Sequence, residues 1–297
     1  MRVLLTGASG YVGGAAVGRL LGAGMQVVGL SRKPAHAISA EDQVRFDISA
    51  PGVAAEIARS VQPCEVIVHA AASLEHDLFA ASVTLSNCLG TQEMLKLSSL
   101  WKSYFVYISS VPVIGMPRNL PITEDHPVAP PTAYHASKLF GEHLVSLATQ
   151  EGIPGAILRL TSPVGPGMPE NRILSVFVSQ TVKSKPIQLA GKGGRRQDYV
   201  DARDVAAAIE KCLVVRSQGI YNIASGRAVS NLEVARKCVA VLGSNSPIEF
   251  NGRADPQESW VWDVSIARAK KDFGFQPQFS LEDSIRDLAT EYASSHH

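Results

Sequence analysis

Residues 2–13 read Arg-Val-Leu-Leu-Thr-Gly-Ala-Ser-Gly-Tyr-Val-Gly, and this stretch decides the fold. A short apolar run, Val3 to Leu5, gives way to glycines at Gly7, Gly10 and Gly13. From Tyr11 to about Gly24 the pattern is amphipathic. The order is strand, glycine turn, helix. A helix N-terminus exposes unpaired backbone N–H groups and the positive end of its dipole, so it suits a phosphate. Glycines let the chain turn tightly there and let a diphosphate approach the backbone. The spacing is Thr-Gly-x-x-Gly-x-x-Gly rather than Gly-x-Gly-x-x-Gly. Its position between a strand and a helix is the context a dinucleotide site requires.

Outward from this turn, apolar runs alternate with helical patterns. Strands are expected at 26–30, 44–46, 65–69, 103–109 and 155–160. Helices are expected at 53–61, 77–100 and 134–150. Strands alternating with helices imply a parallel sheet covered on both faces, a doubly wound α/β fold. After Thr161 the prolines and glycines at 163–169 mark an irregular segment. The expectation is a dinucleotide-binding domain over 1–162. A smaller substrate lobe takes up most of 163–297, with some segments returning to the sheet. The later helices are expected at 173–183, 205–213, 232–242 and 281–292.

The chain has 297 residues, 45% of them hydrophobic, and a net charge of +1. That composition supports a sizeable core and shows neither a basic stripe for nucleic acid nor an acidic tail. No apolar run approaches the roughly 18 residues of a membrane span. Cys64, Cys88, Cys212 and Cys238 are scattered through apolar segments, which reads as buried thiols in a reducing cytosol. The histidines lack metal-ligand spacing, His69 reads as a hydrogen-bonded core residue, and His296-His297 is assigned no role.

At the end of the second strand an NAD site normally presents a carboxylate to the ribose. Here Ser31-Arg32-Lys33 stands instead. Arg32 either pairs with a 2′-phosphate through its planar fork, favouring NADP(H) over NAD(H), or is a solvated surface charge. Asp47 is either an adenine contact or a turn aspartate. Ala70-Ala71-Ala72 gives a cofactor room along the strand ends, or serves close helix packing.

Tyr134-His-Ala-Ser-Lys138 places a phenol and an ammonium on one helix face. A nearby cation favours the phenolate, and such a tyrosine can move a proton at a carbonyl or hydroxyl carbon. Ser110, just beyond a strand, is placed to polarise the same oxygen.

Together these motifs resemble the extended short-chain dehydrogenase/reductases, the NAD-dependent epimerase/dehydratase branch with its Rossmann sheet. Asn87-Cys-Leu-Gly-Thr, Leu158-Arg-Leu-Thr-Ser-Pro163 and Arg196-Gln-Asp198-Tyr also fit its pattern. The resemblance implies Ser110, Tyr134 and Lys138 as the catalytic set. It implies cofactor contacts at Gly7, Gly10, Tyr11, Val12, Gly13, Ser31, Arg32, Asp47, Ile48, Ala70, Ala71, Asn87 and Pro163, besides Tyr134 and Lys138. Substrate contacts fall on Ser110, Ser162, Asn171, Arg196 and Arg253, the last where the family often places an arginine on a substrate diphosphate. It also implies a homodimer through the helices 77–100 and 134–150.

Three departures stand out, one of them Ile114, where the family usually has a tyrosine before the glycine. The family's arginine before Asp198 is Gln197 here, with Arg195 and Arg196 nearby. Similar 4,6-dehydratases carry Asp-Glu after the serine, where this chain has Val111-Pro112, which argues against a dehydratase. The leading expectation is an NADPH-dependent ketoreductase acting on the 4-keto carbon of a nucleotide sugar. Alternatives are a 4-epimerase with retained NAD, a reductase of a non-sugar ketone, and a non-catalytic NADP-binding regulator.

Overall fold

The structure of the protein is a computed structural model that describes residues 1–35, 37–75 and 77–294. His296 and His297 lie outside the described residues. Successive side chains of a strand leave on opposite faces. In β1 (Arg2–Thr6), Val3 and Leu5 therefore join one core with Ala16, Val17 and Leu20 of α1 (Tyr11–Gly22). Leu4 joins a second core with Val53 and Ile57 of α2 (Val53–Ser60) and Met94 and Leu97 of α3 (Gly90–Trp101). Val66/Val68 against Ile67 and Tyr104/Val106 against Phe105/Tyr107 repeat this division, so the sheet is covered on both faces.

The main sheet has seven parallel strands in the order β3-β2-β1-β4-β5-β6-β10. These are β2 (Gln26–Leu30), β3 (Gln43–Val44), β4 (Val66–His69), β5 (Tyr104–Ser110), β6 (Gly155–Leu160) and β10 (Gly219–Ile223). The order reverses at β1, and ligands of such sheets bind beyond the carboxyl ends of the strands at that point. Helix α4 (Ala133–Gln150) lies against β5, where a Cβ at Gly141 would overlap the Tyr107 hydroxyl.

Two small sheets complete the fold. One joins β7 (Ser162–Val164), β9 (Arg196–Asp201) and β11 (Ala228–Ser230); the other pairs β8 (Ile187–Leu189) with β12 (Ile248–Phe250). Their core combines α5 (Ile173–Val182), α7 (Asn231–Val241) and α9 (Leu281–Ser294) around Phe177, Val178, Val234 and Ile285. Helix α6 (Ala202–Val215) covers the main sheet through Val205, Ile209 and Leu213, and α8 (Ala267–Phe273) adds Ala269 and Phe273.

The long helix expected over 77–100 starts later. The Asp77 carboxylate accepts the Phe79 N–H at 3.0 Å and closes a turn. Helix begins only at residue 81, and Val83–Leu89 is wound as a π-helix. Leu85, Leu100, Phe140 and Leu147 remain exposed along this segment, α3 and α4. Among the described residues no helix is long and apolar enough to cross a membrane.

Candidate active site

The carboxyl ends of β1, β2, β4, β5 and β6 open into a cleft of about 710 Å³. That is the size of a small-molecule site. Gly7 sits at φ +72°, and a Cβ there would come within 2.8 Å of the Ala71 backbone nitrogen. The Gly10 N–H closes the turn onto the Gly7 carbonyl at 2.8 Å. A Cβ at Gly13 would overlap that same carbonyl. Gly10 caps α1 without a side chain, which leaves the first N–H groups of the helix for a ligand. Gly7, Gly10, Tyr11, Val12, Gly13, Ser31, Arg32, Asp47, Ile48, Ala70, Ala71 and Pro163 all line the cleft. One Asp47 oxygen accepts both the Ser49 hydroxyl (2.6 Å) and N–H (3.0 Å). These bonds, with Arg32 nearby, hold its carboxyl below the usual carboxylate range. The glycine turn, the uncapped helix start and the cleft volume fit a dinucleotide.

At the end of β4, His69 is fully buried between Thr6 and Thr91. The Thr91 hydroxyl donates to the Asn87 carbonyl at 2.6 Å, so His69 Nε2–H donates to Thr91 and Nδ1 accepts from Thr6. Thr6 Oγ1 in turn accepts the Ala71 N–H at 3.1 Å. Burial, with Lys138 nearby, pushes the His69 pKa down to about 3, so the ring stays neutral. Asn87 lies outside the cleft. Its amide donates to the Ser73 carbonyl (3.0 Å) and the Ser137 hydroxyl (2.9 Å) and accepts the Ser73 N–H (2.7 Å). It therefore ties the loop after β4 to α4.

Ser110, Tyr134 and Lys138 line the same cleft. Ser110 is the last residue of β5, and its hydroxyl bonds to no other described residue. Lys138 Nζ donates to the Ile108 carbonyl at 2.8 Å and lies 4.9 Å from the Tyr107 ring centroid and 6.0 Å from that of Tyr134. Burial brings the Lys138 pKa down to about 8, opposed by Glu142. The expectation of an acidified tyrosine does not hold here. Burial pushes the Tyr134 pKa up to about 12, opposed only in part by the charge of Arg172.

Glu142, one turn beyond Lys138, forms a buried bidentate pair with Arg159 at 2.7 and 2.9 Å. It also accepts the Ser109 hydroxyl at 2.5 Å. Sequence reasoning missed Glu142, although its spacing of four from Lys138 was the available signal.

At the other end, Ser162, Asn171, Arg172, Arg195, Gln197 and Tyr199 line the cleft, but Arg196 and Arg253 do not. The period of two along β9 explains the first correction: residues 195, 197 and 199 share a face, and 196 and 198 point away. Arg196 pairs with Glu233 at 3.1 Å and also donates to the Ala228 carbonyl. Asp198 accepts from Ser225, Arg227 and Thr161. Arg253 follows β12 and is exposed. Its carbonyl accepts the Gly191 N–H at 2.7 Å, which directs that segment to the β8 loop.

The model of the NAD dependent epimerase/dehydratase family matches residues 3–224, and the chain belongs to that family. Two relatives match along nearly their whole length. A dTDP-glucose 4,6-dehydratase of Streptomyces niveus is 26% identical, covering 98% of this chain and 93% of its own. A UDP-glucose 4-epimerase of Mycolicibacterium smegmatis is 28% identical, covering 96% of each. The structure of a Thermus thermophilus UDP-glucose 4-epimerase in complex with NAD superposes with a TM-score of 0.86. It is 23% identical and covers 99% of this chain and 100% of its own.

Proposed function

We propose that the protein is a nucleotide-sugar 4-epimerase that retains NAD. The observation that carries this reading is the composition of one cleft. Ser110, Tyr134 and Lys138 line it together with the glycine turn, and no carboxylate follows Ser110. A bound nicotinamide supplies the acceptance and return of hydride. The chain's residues manage the proton and the oxygen. Tyr134 takes the hydroxyl proton of the sugar and gives it back. Ser110 donates to the oxygen as charge develops on it. Lys138, fixed on the Ile108 carbonyl, supplies a nearby positive charge. Val111 is fully buried and Pro112 has no acidic group, so the two residues after Ser110 supply no acid–base pair for elimination of water.

The epimerase relative and the NAD-bound neighbour support this over the net reductase expected from Ser31-Arg32. The test uses protein as purified. Stoichiometric NAD released on denaturation, and interconversion of UDP-glucose and UDP-galactose without added cofactor, are the expected results. Loss of both, with turnover of a 4-keto sugar only on addition of NADPH, would establish the reductase instead. One observation favours that second reading: Arg32 borders the cleft and makes no hydrogen bond or ion pair among the described residues. The same reading includes a homodimer through the exposed apolar residues of α3 and α4, to be checked by light scattering.

A further inference from the structure

We infer that Tyr107 is a positioning residue for Lys138, its buried ring face seating the ammonium beside the Ile108 carbonyl. The inference rests on the proposal that Lys138 serves Tyr134 at the cleft. Lys138 is buried, and its ammonium has three donors to satisfy. One goes to the Ile108 carbonyl at 2.8 Å. The Tyr107 ring supplies a second contact, with its centroid 4.9 Å from Nζ. A cation within about 6 Å of an aromatic face is attracted by the ring quadrupole, and more strongly where water is excluded. Two consecutive residues of β5 thus offer both partners, a π face and a carbonyl, and the same strand ends at Ser110.

The ring is held where it stands. Tyr107 has no exposed surface, and the His69 ring stacks on it at 5.9 Å and 28°. Gly141, one turn beyond Lys138 on α4, lies against its outer end, where a Cβ would overlap the ring. The glycine therefore lets α4 come close enough to β5 for Lys138 to reach both partners. The other groups around the ammonium do not seat it in this way. The Tyr134 ring is farther, 6.0 Å from Nζ, and belongs to the group that exchanges a proton. Glu142 of α4 favours the ammonium by its charge, but its oxygens are taken by Arg159 of β6 and Ser109 of β5. His69 of β4 is neutral and held by Thr6 and Thr91. Tyr107 itself stays uncharged, since burial pushes its pKa up. Its face keeps the same attraction across the working pH range and opposes the burial that lowers the Lys138 pKa.

Ring substitutions at position 107 test this without emptying the core. Tyr107→Phe drops the hydroxyl and keeps the face. Phenylalanine analogues with one, two and three ring fluorines, placed at the same position, draw charge out of the face and nearly keep its shape. Stability of each protein is followed by urea melts from neutral to alkaline pH, beside the same protein carrying Lys138→Met. The difference isolates one amine and needs no turnover. The folded chain releases this proton near pH 8 and the unfolded chain near 10.5, so the cost of the lysine fades between them. Tyr107→Phe is expected to keep the wild-type onset of that fading. Added fluorines should move the onset stepwise to lower pH, by about one unit for three. The alkaline limb of kcat for UDP-hexose interconversion should move in step. An onset indifferent to fluorination would overturn the inference, and so would a kcat limb that stays in place while the onset moves. If Tyr134→Phe keeps full turnover, the epimerase reading fails, and the melts still decide the contact of Tyr107 with Lys138.

Discussion

Asn87 Nδ2 lies 2.9 Å from Ser137 Oγ, and the Ser137 hydroxyl donates to the Tyr134 carbonyl at 2.7 Å. The side chain that fixes the loop after β4 thereby also sets the first turn of α4. Asn87→Asp keeps the acceptor for the Ser73 N–H and removes both donors. We expect kcat to fall by on the order of tenfold with the dinucleotide still bound, because small misplacements of a proton donor are costly. Steady-state kinetics beside cofactor content check this, and an unchanged kcat would show that the contact does not position α4.

Lys138 combines a functional role with a stability cost. It is a cation whose folded pKa, about 8, lies below its ordinary value of 10.5. The cost of burial is full below about pH 8. It fades as the pH climbs to 10.5, because only the unfolded chain then binds the proton. Lys138→Met should therefore be more stable at neutral pH by roughly 1–3 kcal/mol, after losing the Ile108 hydrogen bond, and should lose most turnover. Urea melts at neutral pH and near pH 10 test both parts, since the gain should shrink at the higher pH.

Glu142 and Arg159 form a buried pair, and each is expensive to leave alone. Glu142→Leu or Arg159→Met singly should cost about 3–5 kcal/mol. The double variant should recover much of that loss in a double-mutant cycle read by denaturant melts. Additive losses would contradict the pairing.

Gly7 combines a left-handed backbone with close approach to Ala71. Gly7→Ala should lower stability by about 2–4 kcal/mol and abolish retention of a dinucleotide. Gly18→Ala is the control, since a Cβ there meets nothing within 4 Å. A Gly7→Ala protein that melts like the control would refute the steric argument.

Arg195 and Arg253 separate the two views of the substrate end. If a nucleotide sugar occupies the cleft, Arg195→Ala should raise KM by about 10- to 100-fold, the loss of one charge-assisted contact. Arg253→Ala should leave KM unchanged. The reverse pattern would restore the sequence-based assignment.

The glycine-turn end of the cleft was legible because it depends on local rules. A strand, three glycines and a helix fit one spacing, and Tyr134 and Lys138 lie one turn apart. The fold followed from alternation of buried strands and helices. The β9 end of the cleft was not legible in the same way. Arg195 and Arg196 are adjacent in sequence, and only pairing of β9 with its neighbours decides which enters the cleft. The protonation of Tyr134 was also out of reach, because it is set by burial from elements far apart in the chain. Asp77 shows a third limit: an apolar run continued as a helix on paper, but a carboxylate closed it into a turn.

The π-helical turn at Val83–Leu89 has a further consequence. Such a turn is the mark of one residue added to an α-helix with both ends kept in place. Each residue of an α-helix advances about 100°, so removing one residue from this turn would rotate α3 against the sheet. Thr91 would leave His69, and Asn87 could not reach Ser73 and Ser137 together. The added residue thus separates the phase of the helix that packs on the sheet from the phase of the turn that serves the cleft.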